Sequence, residues 1–174
     1  MRAYVTNASS LLGASLTGAL RWEGHQLVSS MADADVVFDT SYGVIYRTDR
    51  ALARFVFAEL LAPGDVTGTT VGDWLTESMS AGRALVRAGG ACITDARDVA
   101  LAMLTAAERG LSGEFDVVGP FYTFAELADV LGGNSPSRPS IAVPELGMSF
   151  RPIDETIADV VNSVDAPAAA AMVA

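Results

Sequence analysis

Apolar positions along this chain alternate between short β-rich runs and helical stripes. Arg2-Ala3-Tyr4-Val5-Thr6 starts almost at the first residue and has the character of a central strand in a parallel sheet. From Leu11 to Trp22, the residues Leu12, Leu16, Ala19 and Leu20 recur at helical spacing, and Gly24 supplies a stop. His25–Ser29 and Asp35–Asp39 read as the second and third strands, only a few residues apart. A parallel crossover takes a dozen or more residues. If both strands join one parallel sheet, no ordinary helical crossover connects them.

Beyond Tyr46, the stripe Leu52, Phe55, Val56 and Leu60, ended by Pro63-Gly64, predicts an amphipathic helix. Further helices are predicted over Val71–Ala81 and Asp98–Glu108, the latter with Val99, Ala102, Met103 and Ala106 on one face. Phe115–Val118 reads as a strand. Thr123-Phe124-Ala125-Glu126 is a capping box, with Tyr122 and Leu127 at the staple positions. Gly132–Pro139 is turn-rich, and Ile141–Val143 predicts a short strand. Ile153, Ile157, Val160, Val161 and Val164 mark a last helix, and the Ala-rich tail from Asp165 reads as frayed. Alternating strands and helices predict an α/β architecture.

The 174 residues, half of them apolar, suffice for one domain with a real core. Asp and Glu number 21 against 11 basic residues, which argues against nucleic acid and anionic membrane surfaces as partners. No apolar run is long enough to insert in a membrane, and the first residues read as a strand rather than a targeting segment, so a cytoplasmic protein is expected. Cys92 is the only cysteine, so an intramolecular disulfide and a cysteine-built metal site are both excluded; it is expected to be buried and structural. Trp22, Trp74, Met79, Met103 and the phenylalanines are expected in the core. His25 is expected to be structural, and Asp95 and Asp98 to serve a helix start.

Three stretches bear on chemistry. The opening strand runs into Thr6-Asn7-Ala8-Ser9-Ser10-Leu11-Leu12-Gly13, a T-N-x-x-S-x-x-G pattern. Tyr46-Arg47-Thr48-Asp49-Arg50 places an arginine four residues after a tyrosine. Trp74–Gly90, Cys92–Ala102, Phe115–Leu131 and Phe150–Ile157 follow in order. Together these segments resemble the extended short-chain dehydrogenase/reductase family of NAD-dependent epimerases and dehydratases, whose turn reads T-G-x-x-G-x-x-G and whose later helices carry D-V-A-x-A and T-F-x-E-L. The resemblance implies a truncated Rossmann-like parallel sheet with flanking helices and a small C-terminal remnant of the substrate domain. Residues 1–66 would be the shortened dinucleotide-binding part, 67–164 the remainder and substrate side, and 165–174 a tail, all in one compact unit. The middle of the nucleotide domain is absent.

The resemblance also implies roles. Thr6, Asn7, Ser10, Leu11, Leu12 and Gly13 would line a dinucleotide's pyrophosphate, and Asp33 its adenine ribose. Of the three glycine positions only the packing glycine, Gly13, is kept. Asn7 tolerates a left-handed backbone. Ser10 brings a side chain to where a phosphate would approach, together with a hydroxyl able to donate to it. Tyr46 would be the catalytic acid/base, Arg50 would replace the family's lysine, and Ser41 or Thr40 would complete the triad. Since the chain has no lysine, and arginine differs from it in length, planarity and hydration, the expected protein is non-catalytic. It would act as a binding or assembly subunit with a protein partner or as a homo-oligomer, with no cofactor or with NAD(P). Two alternatives stand beside this: an NAD(P)-dependent oxidoreductase or sugar-nucleotide epimerase using Tyr46 and Arg50, and a dinucleotide-sensing regulator.

Overall fold

The computed structural model describes residues 1–47, 50–64, 68–134, 136 and 142–171, with side chains as far as residue 163. β1 (Arg2–Val5) turns Ala3 and Val5 into the core and leads to α1 (Leu11–Trp22), whose Leu12, Leu16 and Leu20 pack onto them. β2 (Gln26–Leu27) and β3 (Val36–Asp39) flank β1 on either side, both parallel to it. As the spacing requires, no helical crossover joins them; a single 3₁₀ turn at Met31–Asp33 makes the passage.

Residues 44–61 correct the expectation of a helix. They form β4 (Val44–Arg47), β5 (Arg50–Val56) and β6 (Glu59–Leu61). Ala53 and Phe55 are buried while Arg54 and Val56 face out, a period of two. The same residues fit a helical stripe in isolation. Strand wins because β5 finds ladder partners on both sides, antiparallel β4 and a later parallel strand, which satisfy its backbone on each edge. Gly43 (φ 61) makes the preceding turn possible: a Cβ there would stand 2.7 Å from Phe55 O.

The chain continues through α2 (Thr70–Ser80), β7 (Gly90–Asp95), α3 (Ala96–Arg109), β8 (Gly113–Asp116), β9 (Phe121–Thr123), α4 (Phe124–Leu131), β10 (Ala142–Val143), β11 (Met148–Ser149) and α5 (Ile153–Ala171). The main sheet has the order β2-β1-β3-β4-β5-β8, and a smaller one the order β6-β7-β9. The expected parallel sheet is therefore present at β2-β1-β3 and β5-β8, with an antiparallel meander between. The capping box at Thr123 is formed as its residues dictate: Glu126 N donates to Thr123 Oγ1 at 3.2 Å, and Thr123 N donates to the Glu126 carboxylate at 2.8 Å. Of the predicted strand at Ile141–Val143, Ala142 and Val143 are β10, and Ile141 lies outside the described residues, as do Thr48, Asp49 and half of the turn-rich stretch. The expected fraying from Asp165 concerns a stretch whose path is helical to Ala171 and is not described beyond it.

Two cores result, each drawing on residues from both sides of position 66. One lies between the six-stranded sheet and α1 and α3, the other between β6-β7-β9 and α2, α4 and α5, with Trp74 and Leu127 fully buried in it. Trp22 corrects its core expectation and is 88 % exposed. It stands two residues past Leu20, about 200° around the helix from the inward stripe. Phe121 is likewise half exposed, and Cys92 is only half buried. Among the described residues no helix is long and apolar enough to cross a membrane.

Candidate functional site

The turn after β1 is held by local chemistry. Asn7 takes the left-handed conformation (φ 46) that its short polar side chain tolerates. Ser10 N and Ser10 Oγ both donate to Asn7 O, at 2.9 Å each. Ser10 is the N-cap of α1, and its hydroxyl accepts from Gly13 N at 3.1 Å. Gly13 is needed for close approach, because a Cβ would meet Asn7 O at 2.2 Å. The turn is thus closed by its own side chains, and the amide of Gly13, which stands at a helix start where backbone N–H groups can meet an anion, already has the serine hydroxyl as its partner.

The remaining predicted cofactor and catalytic residues do not gather round this turn. Ser10 and Leu11 open onto a cleft of about 800 Å³ between α1 and α3, together with Arg97, Leu101 and Arg151. Leu12 and Gly13 are buried. Thr6 lies on the opposite face of the sheet, where it shares a cleft of about 470 Å³ with Asp39, Val37, Met31 and Tyr46. Thr6 Oγ1 donates to Asp39 Oδ1 at 3.2 Å and accepts from Thr40 N, while Thr40 Oγ1 donates to Thr6 O at 2.7 Å, so these polar groups tie the end of β1 to the end of β3. Asp33 corrects its predicted placement. It is exposed in the 3₁₀ turn and acts electrostatically on Arg2, at the start of β1, whereas the Ser10 turn follows the end of that strand.

Tyr46 and Arg50 were expected on one helix face. Tyr46 instead lies on β4 opposite Val37 and Ala51, and Arg50 begins β5 opposite Arg47. Arg50 and Arg47 line a third cavity of about 310 Å³, with Gly110 and Ser112. Ser41 stays exposed in the β3–β4 turn, its N–H donating to Asp39 Oδ1, beyond the Asp39–Val44 pair that closes the ladder and two residues along the strand from Tyr46. The predicted site residues are therefore spread over three clefts, Ser10 and Leu11 in one, Thr6 and Tyr46 in a second, and Arg50 in a third. Among the described residues, no group of three His, Cys, Asp or Glu side chains is placed to hold a metal ion.

The densest polar cluster was only partly legible in the sequence. Asp95 caps α3, as expected, but it is also buried at the centre of a network. Arg97 donates to both its oxygens, at 2.9 and 2.7 Å, and Thr156 Oγ1 donates to Oδ2 at 2.9 Å. Arg97 also donates to Asp159 on α5 at 2.6 Å. The hydrogen bond to Asp95 and then that to Asp159 hold Arg97 more firmly protonated than usual. Asp98 accepts from Arg151 N at 2.8 Å, and its burial pushes its carboxyl above the ordinary aspartate value. The arginines that face the large cleft are thus committed to fastening α5 and the segment before it onto α3. His25 is structural, linking the N-terminal amine at 3.4 Å to Glu108 at 2.8 Å.

No family model and no curated sequence matches this chain. Solved structures do. Yeast methylglyoxal/isovaleraldehyde reductase in complex with NADPH superposes with a TM-score of 0.63 at 12 % identity, over 94 % of this chain and 98 % of that one. UDP-N-acetylglucosamine 4-epimerase from Bacillus cereus gives 0.66 at 12 % over 92 % and 98 %. A nucleoside-diphosphate-sugar epimerase from Pseudomonas aeruginosa gives 0.66 at 15 % over 93 % and 96 %. The matches run nearly end to end on both sides, so the opening strand and the closing helix each have a counterpart. The passage between β2 and β3 is a single 3₁₀ turn, too brief for a helix. The chain therefore has, in shortened form, the Rossmann-like fold of the extended short-chain dehydrogenase and epimerase structures.

Proposed function

We propose that this protein is a non-catalytic, cytoplasmic, dinucleotide-fold protein that works as a binding or assembly component. One observation carries the reading: the side chains expected to cooperate in hydride transfer are dealt out to separate cavities, Ser10 and Leu11 to one, Thr6 and Tyr46 to another on the opposite sheet face, and Arg50 to a third. Acid/base catalysis requires the proton-transferring group and its supporting cation within hydrogen-bond reach of one substrate. The hairpin that replaces the tyrosine helix works against that. The test is calorimetric titration with NADH and NADPH, followed by assays on carbonyl and sugar-nucleotide substrates. Neither binding nor turnover is expected. Turnover abolished by Tyr46→Phe would overturn the assignment.

A second reading, a regulator that binds a dinucleotide without turning it over, draws on the retained turn at Asn7 and the close packing at Gly13. In it, Ser10 would give up its bond to Gly13 N and turn its hydroxyl towards a phosphate. Micromolar binding of NADH without turnover, weakened by Asn7→Val, would favour this reading over the first.

A further inference from the structure

α1 and α3 lie on one face of the six-stranded sheet, where Ala3, Phe38, Ile45 and Phe55 meet them. Alternation sends Tyr4, Val37, Asp39, Val44, Tyr46 and Arg54 to the other face, where none is fully buried. Met31 and Ala32 of the short crossover border this face on its β1 side. Its centre is apolar and aromatic, and the charges beside that centre are ordered. Asp39 pairs with Val44 and Val44 with Arg54, so one row across three neighbouring strands reads acid, apolar, base.

Such a row is complementary to itself. A second copy turned by 180° about an axis along β4 sets its Arg54 over Asp39 and its Asp39 over Arg54, with Val44 and Tyr46 meeting their own counterparts on the axis. Two sheets stacked this way have aligned strands about 10 Å apart, and each contact occurs twice, as in an isologous dimer. Arg54 is available for the contact. Its pairing with Glu114 is 4.0 Å long and about two-thirds exposed on both sides, a kind of pair that contributes little. Asp39 is available too, since the bonds from Thr6 and Ser41 both fall on Oδ1.

We propose that this uncovered sheet face is the interface of a two-fold homodimer, which deepens the assembly reading by naming a second copy of this chain as the partner. Five strands at about 4.8 Å and four residues at about 3.3 Å give a face of about 24 by 13 Å, in the class of small, exchanging interfaces. Dissociation in the micromolar range is expected.

Analytical ultracentrifugation of the full chain across micromolar concentrations tests this. The wild type should form dimers, and Arg54→Glu and Asp39→Lys should each weaken dimerisation by about tenfold or more. Mixing the two variants should restore pairing, because every contact then sets acid on base. Val44→Arg, which places two cations face to face on the axis, serves as a further variant if circular dichroism finds Asp39→Lys unfolded. A wild type that stays monomeric, a dimer indifferent to Arg54→Glu and Val44→Arg, or folded variants that fail to pair on mixing would overturn the proposal. A monomer would leave the non-catalytic assignment standing, since dinucleotide titration and turnover decide that.

Discussion

At the scale of single residues, side chains with a local job are placed where their neighbours in sequence require. Thr123 is the clearest case: both halves of its capping box form, and Tyr122 and Leu127 are buried beside it. Thr123→Ala should cost about 1 kcal/mol in urea unfolding, and an effect near zero would mean that the cap is not bearing on stability. Asp98 is different, because its environment comes from Arg151, far along the chain. Burial raises its folded pKa above the unfolded value, with nearby Asp95 adding to the rise and the Arg151 amide opposing it. Its contribution to stability is therefore complete below the unfolded value of about 3.9 and is lost as pH climbs through the higher folded value. Asp98→Asn keeps an acceptor for Arg151 N but does not ionise. Its stability relative to wild type should rise as pH is raised from about 4, as followed by chemical denaturation at a series of pH values. A constant difference across that range would count against the buried, elevated carboxyl.

At the scale of elements, α1, α3, α4 and β1 were legible because their signals are local: helical spacing of apolar residues, a cap at the start and a glycine or turn at the end. The segment from Val44 to Leu61 was not. Its apolar residues satisfy a helical stripe and a strand alternation alike, and what decides between them is the pair of strands waiting on either side of β5. The two alternatives make opposite demands on neighbouring residues. A helix would bury Phe55 and Val56 together, whereas β5 buries Phe55, stacked on Phe115 with centroids 5.3 Å apart, and leaves Val56 exposed. Phe55→Ala should therefore cost about 3–5 kcal/mol and Val56→Ala within about 0.5 kcal/mol, both measured by urea unfolding. Equal costs would argue for the helix.

At the scale of the whole molecule, shortening has an asymmetric effect. The face with α1 and α3 keeps a complete core, while the other face has a cleft, a brief crossover and a row of half-exposed side chains. Parallel strands are ordinarily covered on both sides, and a sheet exposed on one side needs either polar residues there or a partner. This face supplies both, with charges ordered along a row and Tyr4, Val37, Val44 and Tyr46 at its centre. The expected site residues are dispersed by the same arrangement of strands. Tyr46 projects from β4 and Arg50 begins β5 opposite Arg47, so no substitution at Arg50 alone brings the two together.

The sequence by itself determined the α/β class, the order of most elements, the absence of a helical crossover between β2 and β3, the turn at Asn7 and the cap at Thr123. Each of these rests on interactions spanning a few residues, or on chain length, which a linear pattern records in full. Only the tertiary structure decided that Val44–Arg47, Arg50–Val56 and Glu59–Leu61 are strands, that Asp33 lies by Arg2, that Trp22 faces solvent, and that Asp95 and Arg97 anchor α5. These outcomes depend on ladders to other elements, as from β6 to β7 and from β5 to β8, on ion pairs such as Arg97 with Asp159, or on which edge of the sheet a short crossover returns to. Their energies are settled by partners that no local window contains.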